Sequence, residues 1–165
     1  MASPGAFSTC DLCDRHGERV RVLALPWRDY GGRAAFCGPV ATVLAFEDNS
    51  RVREAVNAAG EGRVLVVDGG GSLRRSMLGD QLAEAAVANG WAGVVVAGAV
   101  RDVAALARLD LGVRALGASP RRTDKRGQGL RDVALEIGGA AIAPGDLLWA
   151  DADGIVVADG ALDSP

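Results

Sequence analysis

The sequence predicts an α/β fold in which a central mixed sheet is layered as β/β/α. Three observations carry this expectation. Arg63-Val64-Leu65-Val66-Val67 and Gly93-Val94-Val95-Val96-Ala97 are short, apolar, β-branched runs of the kind that form strands buried on both faces. Each run leads through a glycine-containing loop into a helical pattern, and Val113 to Ala118 supplies a third strand. This is the β-loop-α-β rhythm of right-handed crossovers. After Pro120 the pattern changes to short strands separated by turn residues, so a β-rich layer closing over the α/β half is expected instead of an extended Rossmann sheet.

The first 35 residues read as an N-terminal arm or cap. It has a short helix around Cys10 to Asp14, an extended stretch from Arg19 to Leu25 and a turn at Gly31-Gly32. Phe36 to Phe46 reads as a strand interrupted early by Gly38-Pro39. Asp48 and Asn49 are good N-caps, which predicts a helix from Ser50 to Ala59 stopped by Gly60. Beyond Asp68-Gly69-Gly70-Gly71-Ser72, an amphipathic helix is expected from Arg74 or Gly79 to Asn89, with Gly90 ending it. The helix after Arg101-Asp102 is expected to reach Leu109. Asp132 to Ile137, Ala140 to Ala143, Asp146 to Ala150 and Ile155 to Ala158 are the short strands of the second layer. No internal repeat or linker is visible, so one domain over residues 1–165 is expected, with 159–165 as a flexible tail.

Composition narrows the function classes. A chain of 165 residues can bury a core without disulfides or a structural metal. With 23 glycines and only 4% aromatics, it is suited to layers whose backbones approach closely. The net charge is -3 and there is no long basic block, which argues against direct nucleic-acid binding. Arg121, Arg122, Lys125 and Arg126 form a short basic cluster in turn-like sequence and read as a solvated loop. No run approaches the roughly 20 apolar residues of a membrane span. Met1 to Phe7 lacks the pattern of a signal peptide, so a cytoplasmic protein with reduced cysteines is expected. Cys10, Cys13 and His16 are spaced like part of a zinc site, but no fourth ligand is near. Cys13 is therefore expected to pack as a small apolar residue beside Leu12.

Two loops follow the carboxyl ends of adjacent strands, where open α/β sheets bind ligands. In the first, Asp68 to Asp80, the glycines could present backbone N–H groups to an anion or simply make a tight turn. The loop matches neither the P-loop nor the dinucleotide pattern. The second loop ends in Arg101-Asp102 at a helix start, where an acid can be only a cap. Asp80 closes the first loop, so two acids and an arginine can converge at one sheet edge. Carboxylates and waters hold Mg²⁺-like cations, and the guanidinium fork suits a substrate carboxylate. Together these are what a 2-oxo acid needs in order to be bound and polarised.

Phe46-Glu47-Asp48-Asn49, Val66 to Arg74 and Gly98-Ala99-Val100-Arg101-Asp102 resemble the RraA-like family, which groups regulators of ribonuclease E activity with class II 4-hydroxy-4-methyl-2-oxoglutarate aldolases. The resemblance runs from about Thr9 to Ala158 and implies an RraA-like, swivelling-type β/β/α domain. The family's aldolases share Asp-x₂₀-Arg-Asp, matched here by Asp80, Arg101 and Asp102. The resemblance implies that Met77, Leu78, Gly79 and Asp80 form a substrate-binding loop. By the same likeness Arg101 binds the substrate carboxylate and carbonyl, and Asp102 holds Mg²⁺ or Mn²⁺, partly through waters. It also implies ring-shaped homotrimers, which can pair into hexamers, with sites at subunit boundaries. Aldolases of the family often draw a further acid from a neighbouring subunit, and no counterpart of it is identified in this sequence.

The expected activity is cleavage of a 4-hydroxy-4-methyl-2-oxoglutarate-type acid to pyruvate, with oxaloacetate decarboxylation as a secondary reaction through the same enolate. Catalytic roles fall to Asp80, Arg101 and Asp102. No lysine lies in these loops, which argues against a Schiff-base aldolase. The alternative is a non-catalytic regulator that binds and inhibits ribonuclease E.

Overall fold

The structure is a computed structural model that describes residues 6–160 and 162. Residues 161 and 163–165 of the expected tail, and residues 1–5 of the expected arm, lie outside the described residues. Ser8 opens α1 (Thr9–His16) by accepting the Asp11 N–H on its side chain, and a 3₁₀ turn leads from there to β1 (Arg21–Val22). Strand β2 (Arg28–Asp29) is followed by the long β3 (Phe36–Leu44) and by α2 (Ser50–Val56). Then come β4 (Val64–Asp68), β5 (Ser76–Leu78), α3 (Asp80–Ala88), β6 (Gly93–Val100), α4 (Val103–Leu106) and β7 (Gly112–Ala118). The C-terminal part holds β8 (Leu130–Arg131), β9 (Leu135–Ile137), β10 (Ala140–Ile142), β11 (Leu147–Ala150) and β12 (Ile155–Ala158).

Ten strands make one mixed sheet in the order β1-β12-β11-β3-β4-β6-β7-β2, with β5 added to β6 and β8 to β3. Strands β3, β4, β6 and β7 run parallel, while β11 runs antiparallel to β3 and β12 antiparallel to β11. Strict alternation sorts the side chains. Leu65, Val67, Val94 and Val96 face a core shared with Val52, Val56, Ala83, Ala86 and Leu106 of the helices. Val64, Val66, Val95 and Ala97 face the opposite core, closed by Leu135 and Ile137 of β9, Ile142 of β10, Leu148 and Ile155. The result is the β/β/α layering that the sequence predicts. Among the described residues no helix is long and apolar enough to cross a membrane.

Several boundaries differ from expectation. Helix α2 ends at Val56, not Ala59, and α4 stops at Leu106, short of Leu109. Strand β6 continues through Gly98 to Val100, because β5 pairs with its end. The expected strand from Asp132 to Ile137 is shortened to β9 (Leu135–Ile137), and Asp132 at φ 58° separates it from β8, which the sequence did not predict.

Phe36 fixes how closely two strands approach. Its ring lies against Gly93 and Gly112, where an added Cβ would fall 2.5 and 2.0 Å from ring atoms. Arg114, only 4% exposed, stacks 5.3 Å over the same ring. Its Nη1 sits 2.8 Å from Asp29 Oδ1, which is an ion pair without hydrogen-bond alignment, and its Nη2 donates to the Ala34 carbonyl. Burial lowers the arginine's pKa, while Asp29 and Asp151 act against that shift. Gly112→Ala is expected to cost about 1–3 kcal/mol through overpacking. The check is a lowered urea midpoint at unchanged m-value.

Candidate active site

Backbone pairing places the candidate residues. Strand β4 covers β6 only as far as Ala97, and Ser76 and Leu78 of β5 take over at Ala99 and Val100. The chain therefore leaves β5 at Gly79 and β6 at Arg101 side by side, with the Arg101 N–H donating to the Leu78 carbonyl at 2.9 Å. Helix α3 opens at Asp80, and a first-turn amide has no partner inside its own helix. Asp102 Oδ2 accepts that Asp80 N–H at 3.1 Å. Asp80, Arg101 and Asp102 thus meet at the carboxyl ends of the parallel strands.

Asp102 does not cap the helix it precedes. Its side chain makes no capping bond to α4, and its backbone is left-handed at φ 55°, ψ 42°. For a residue other than glycine, such a conformation costs on the order of 1–3 kcal/mol and is held only when its surroundings enforce it. The Arg101 and Asp102 side chains are each 38% exposed, with Arg101 Nε 3.8 Å from Asp102 Oδ2. Gly79 makes room for this arrangement, since a Cβ there would lie 2.7 Å from Asp102 Oδ2 and 3.3 Å from Arg101 Nε.

Gly79, Asp80 and Arg101 line a cleft of about 450 Å³ together with Arg53, Arg122 and Lys125. Four cations against one acid make the cleft suited to an anion with more than one charge. Two of the residues expected in a substrate loop, Met77 and Leu78, are instead packed in the core at 2% and 0% exposure. Arg122 and Lys125, read from sequence as part of a solvated loop, have exposed side chains that reach the cleft. The glycine loop is a structural turn. The amides of Gly69 and Gly71 donate to the Ala97 carbonyl, that of Gly70 to Asp68 Oδ1 and that of Ser72 to the Gly69 carbonyl, which uses the N–H groups an anion would need.

Asp102, with Oδ2 on the Asp80 amide, is the carboxylate of this junction that could hold a divalent cation. Among the described residues no group of three His, Cys, Asp or Glu side chains could hold a metal. The donor set therefore fits a hard cation that keeps most of its waters and takes one carboxylate, and does not fit a closed protein cage. At the arm, Cys13 packs with Leu12 against Val20, Val156 and Ala158, while Cys10 is exposed and the hydrogen bond its thiol donates to Asp153 raises its pKa.

A second network borders the cleft. Asp48, 2% exposed, accepts four hydrogen bonds: from Ser50 N and Oγ at 2.9 and 2.6 Å, Arg126 N at 2.7 Å and Gln128 N at 3.4 Å. Burial pushes its carboxyl pKa up, but these donors outweigh that and hold it below the usual carboxylate range. Asn49 lines the same cleft with Oδ1 buried and unpartnered among the described residues. Sequence reasoning read Asp48 and Asn49 as caps and as part of a motif of the family resemblance, and gave them no role at the site. Two of the partners of Asp48, the Arg126 and Gln128 amides, lie 78 and 80 residues away, beyond any local pattern.

The sequence model of the RraA-like family, described as Aldolase/RraA, matches residues 9–157. The chain belongs to the RraA-like family. A relative from Albidiferax ferrireducens, provisionally named 4-hydroxy-4-methyl-2-oxoglutarate aldolase, is 54% identical over 95% of this chain and 98% of its own. A solved structure from Geobacillus kaustophilus, titled S-adenosylmethionine:2-dimethylmenaquinone methyltransferase, is similar at TM-score 0.93 and 48% identity, covering 94% of this chain and 97% of its own. The RNA-processing inhibitor RraA from Thermus thermophilis superposes at TM-score 0.93 with 43% identity, covering 96% of each chain.

Gly79→Ala is expected to push the Asp102 carboxylate off the Asp80 amide. Hydrogen exchange at that amide should accelerate, and stability should fall by about 1–3 kcal/mol.

Proposed function

We propose that the protein is a divalent-metal-dependent aldolase that cleaves 4-hydroxy-4-methyl-2-oxoglutarate-type 2-oxo acids to pyruvate and decarboxylates oxaloacetate as a side reaction. The observation that carries this reading is the Asp80–Arg101–Asp102 junction, in which the α3 amide orients the Asp102 carboxylate at the border of a cationic cleft that Asp80 and Arg101 line. The aldolase name carried by close relatives supports it.

Arg101 takes the substrate's C1 carboxylate and 2-oxo group, and its charge offsets the oxyanion that develops there. Asp80 orients a water that removes the 4-hydroxyl proton. The C3–C4 bond then breaks, the C4 oxygen becomes a carbonyl, and the electron pair passes to the pyruvate enolate, which is protonated at C3. Loss of CO₂ from oxaloacetate reaches the same enolate. Asp102, with water, would hold Mg²⁺ or Mn²⁺, which supplies Lewis-acid polarisation of the 2-oxo group.

A second reading, a regulator that binds a ribonuclease E-type partner, is favoured by the 43% identity to a protein named as an RNA-processing inhibitor. It needs neither acid, and one protein can keep both roles. A homotrimer, able to pair into a hexamer, is proposed as the assembled state, supported by the exposed Leu44, Phe46, Leu73 and Leu130. The free thiols Cys10, Cys13 and Cys37 suit a cytoplasmic location.

Wild-type protein with Mg²⁺ or Mn²⁺ is expected to release pyruvate, and Asp102→Ala or Arg101→Ala to lower that rate about 100-fold or more with circular dichroism unchanged. A wild type without metal-dependent pyruvate release would sink the aldolase reading. Retained ribonuclease inhibition by Asp102→Ala would separate the regulatory role. Sedimentation is expected at three or six chain masses, and a single-chain mass rejects the trimer.

A further inference from the structure

Four consecutive residues at the start of α2 hold a segment far away in sequence. Asp48 accepts from the Arg126 and Gln128 amides, and the Asn49 amide donates to Thr123 Oγ1 at 3.2 Å. Ser50 Oγ accepts the Gly127 amide at 3.0 Å while itself donating to Asp48 Oδ1. Arg51 donates to the carbonyls of Gly127 and Gly129 at 2.6 and 3.1 Å. The segment so fixed, residues 123–129, has no regular secondary structure of its own, yet it carries Lys125 into the cleft and continues directly from Arg122. Within the segment Arg126 donates to Asp124 at 2.9 Å, an exposed pair, so its shape depends chiefly on the bonds to α2.

We propose that Asp48 is a positioning residue: with Ser50 it latches the 123–129 segment to α2 and thereby sets the cleft's affinity for the second carboxylate of a 2-oxo diacid. This rests on the reading of the cleft as a 2-oxo acid site. Arg101 engages the 2-oxo acid end, which every substrate of the class shares. Arg122 and Lys125 are cations of the same cleft left for a distal anion, and long side chains bind well only when their backbone is fixed. Asp48 is buried and does not itself line the cleft.

The test is calorimetric binding with Mg²⁺ present, using pyruvate and 2-oxoglutarate, a diacid that lacks the 4-hydroxyl and is not cleaved. Asp48→Asn and the milder Ser50→Ala are expected to weaken 2-oxoglutarate about 10-fold and to leave pyruvate within about 2-fold. Hydrogen exchange at the 126–128 amides should accelerate in both variants. In turnover, KM for the hydroxylated diacid should rise while kcat holds. Equal weakening of both ligands, or faster exchange without any change in 2-oxoglutarate affinity, overturns the proposal. So does a wild type that binds neither acid. A wild type that binds both but releases no pyruvate overturns the aldolase reading alone, since the binding comparison still decides the role of Asp48.

Discussion

Strand β6 is buried along all eight residues, and none of its side chains is polar. Its peptide groups can be satisfied only by neighbours, because no water reaches them and an unpaired buried N–H or C=O costs on the order of 1–3 kcal/mol. Strand β7 supplies one flank. On the other, β4 ends at Asp68, opposite Ala97, so the chain must come back as β5 to cover the remainder. That requirement fixes where the glycine loop turns, where α3 begins and why Gly79 lies beside Arg101. The site is thus a consequence of completing one strand's hydrogen bonds, built on the ends of rigid elements as ligand sites need to be.

The layering was legible because its signals are local. The β-branched runs at residues 64–67 and 93–97, and the turn chemistry after Pro120, need no partner to be read. Strand β5 was not legible. Ser76-Met77-Leu78 is too short to show alternation, and it is a strand only because β6 demands one. Met77 and Leu78, which the family resemblance places in a substrate-binding loop, have their side chains in the core. The convergence of Asp80, Arg101 and Asp102 could be anticipated from two loops leaving adjacent strand ends. The role of Asp48 could not, since its partners lie across the chain and their amides carry no sequence signal.

Backbone strain collects where loops leave the sheet. Glu47, just past β3, and Asp102, just past β6, are both left-handed at φ 51° and 55°. Each is an acid whose carboxylate anchors a neighbouring segment. Glu47 accepts from Ser72 Oγ at 2.7 Å and Arg74 Nε at 2.6 Å, and the hydrogen bond from Arg74, followed by that from Ser72, holds its pKa low. Asp102 accepts the first amide of α3. In both cases the hydrogen bonds to the carboxylate work against the cost of the left-handed backbone.

Strand β3 belongs to both halves of the sheet. Val40 to Leu44 pair with β4, a near neighbour in sequence, but Phe36 to Pro39 pair with β11, roughly 100 residues downstream. On a ribosome adding about 5–20 residues per second, that N-terminal stretch has no native partner for several seconds after it emerges. An open strand edge is a template for wrong pairing, and proline blunts it by lacking the donor a neighbour would seek. Gly38 and Pro39, which the finished sheet accommodates against Leu148 and Leu147, therefore also guard the nascent chain during its own synthesis.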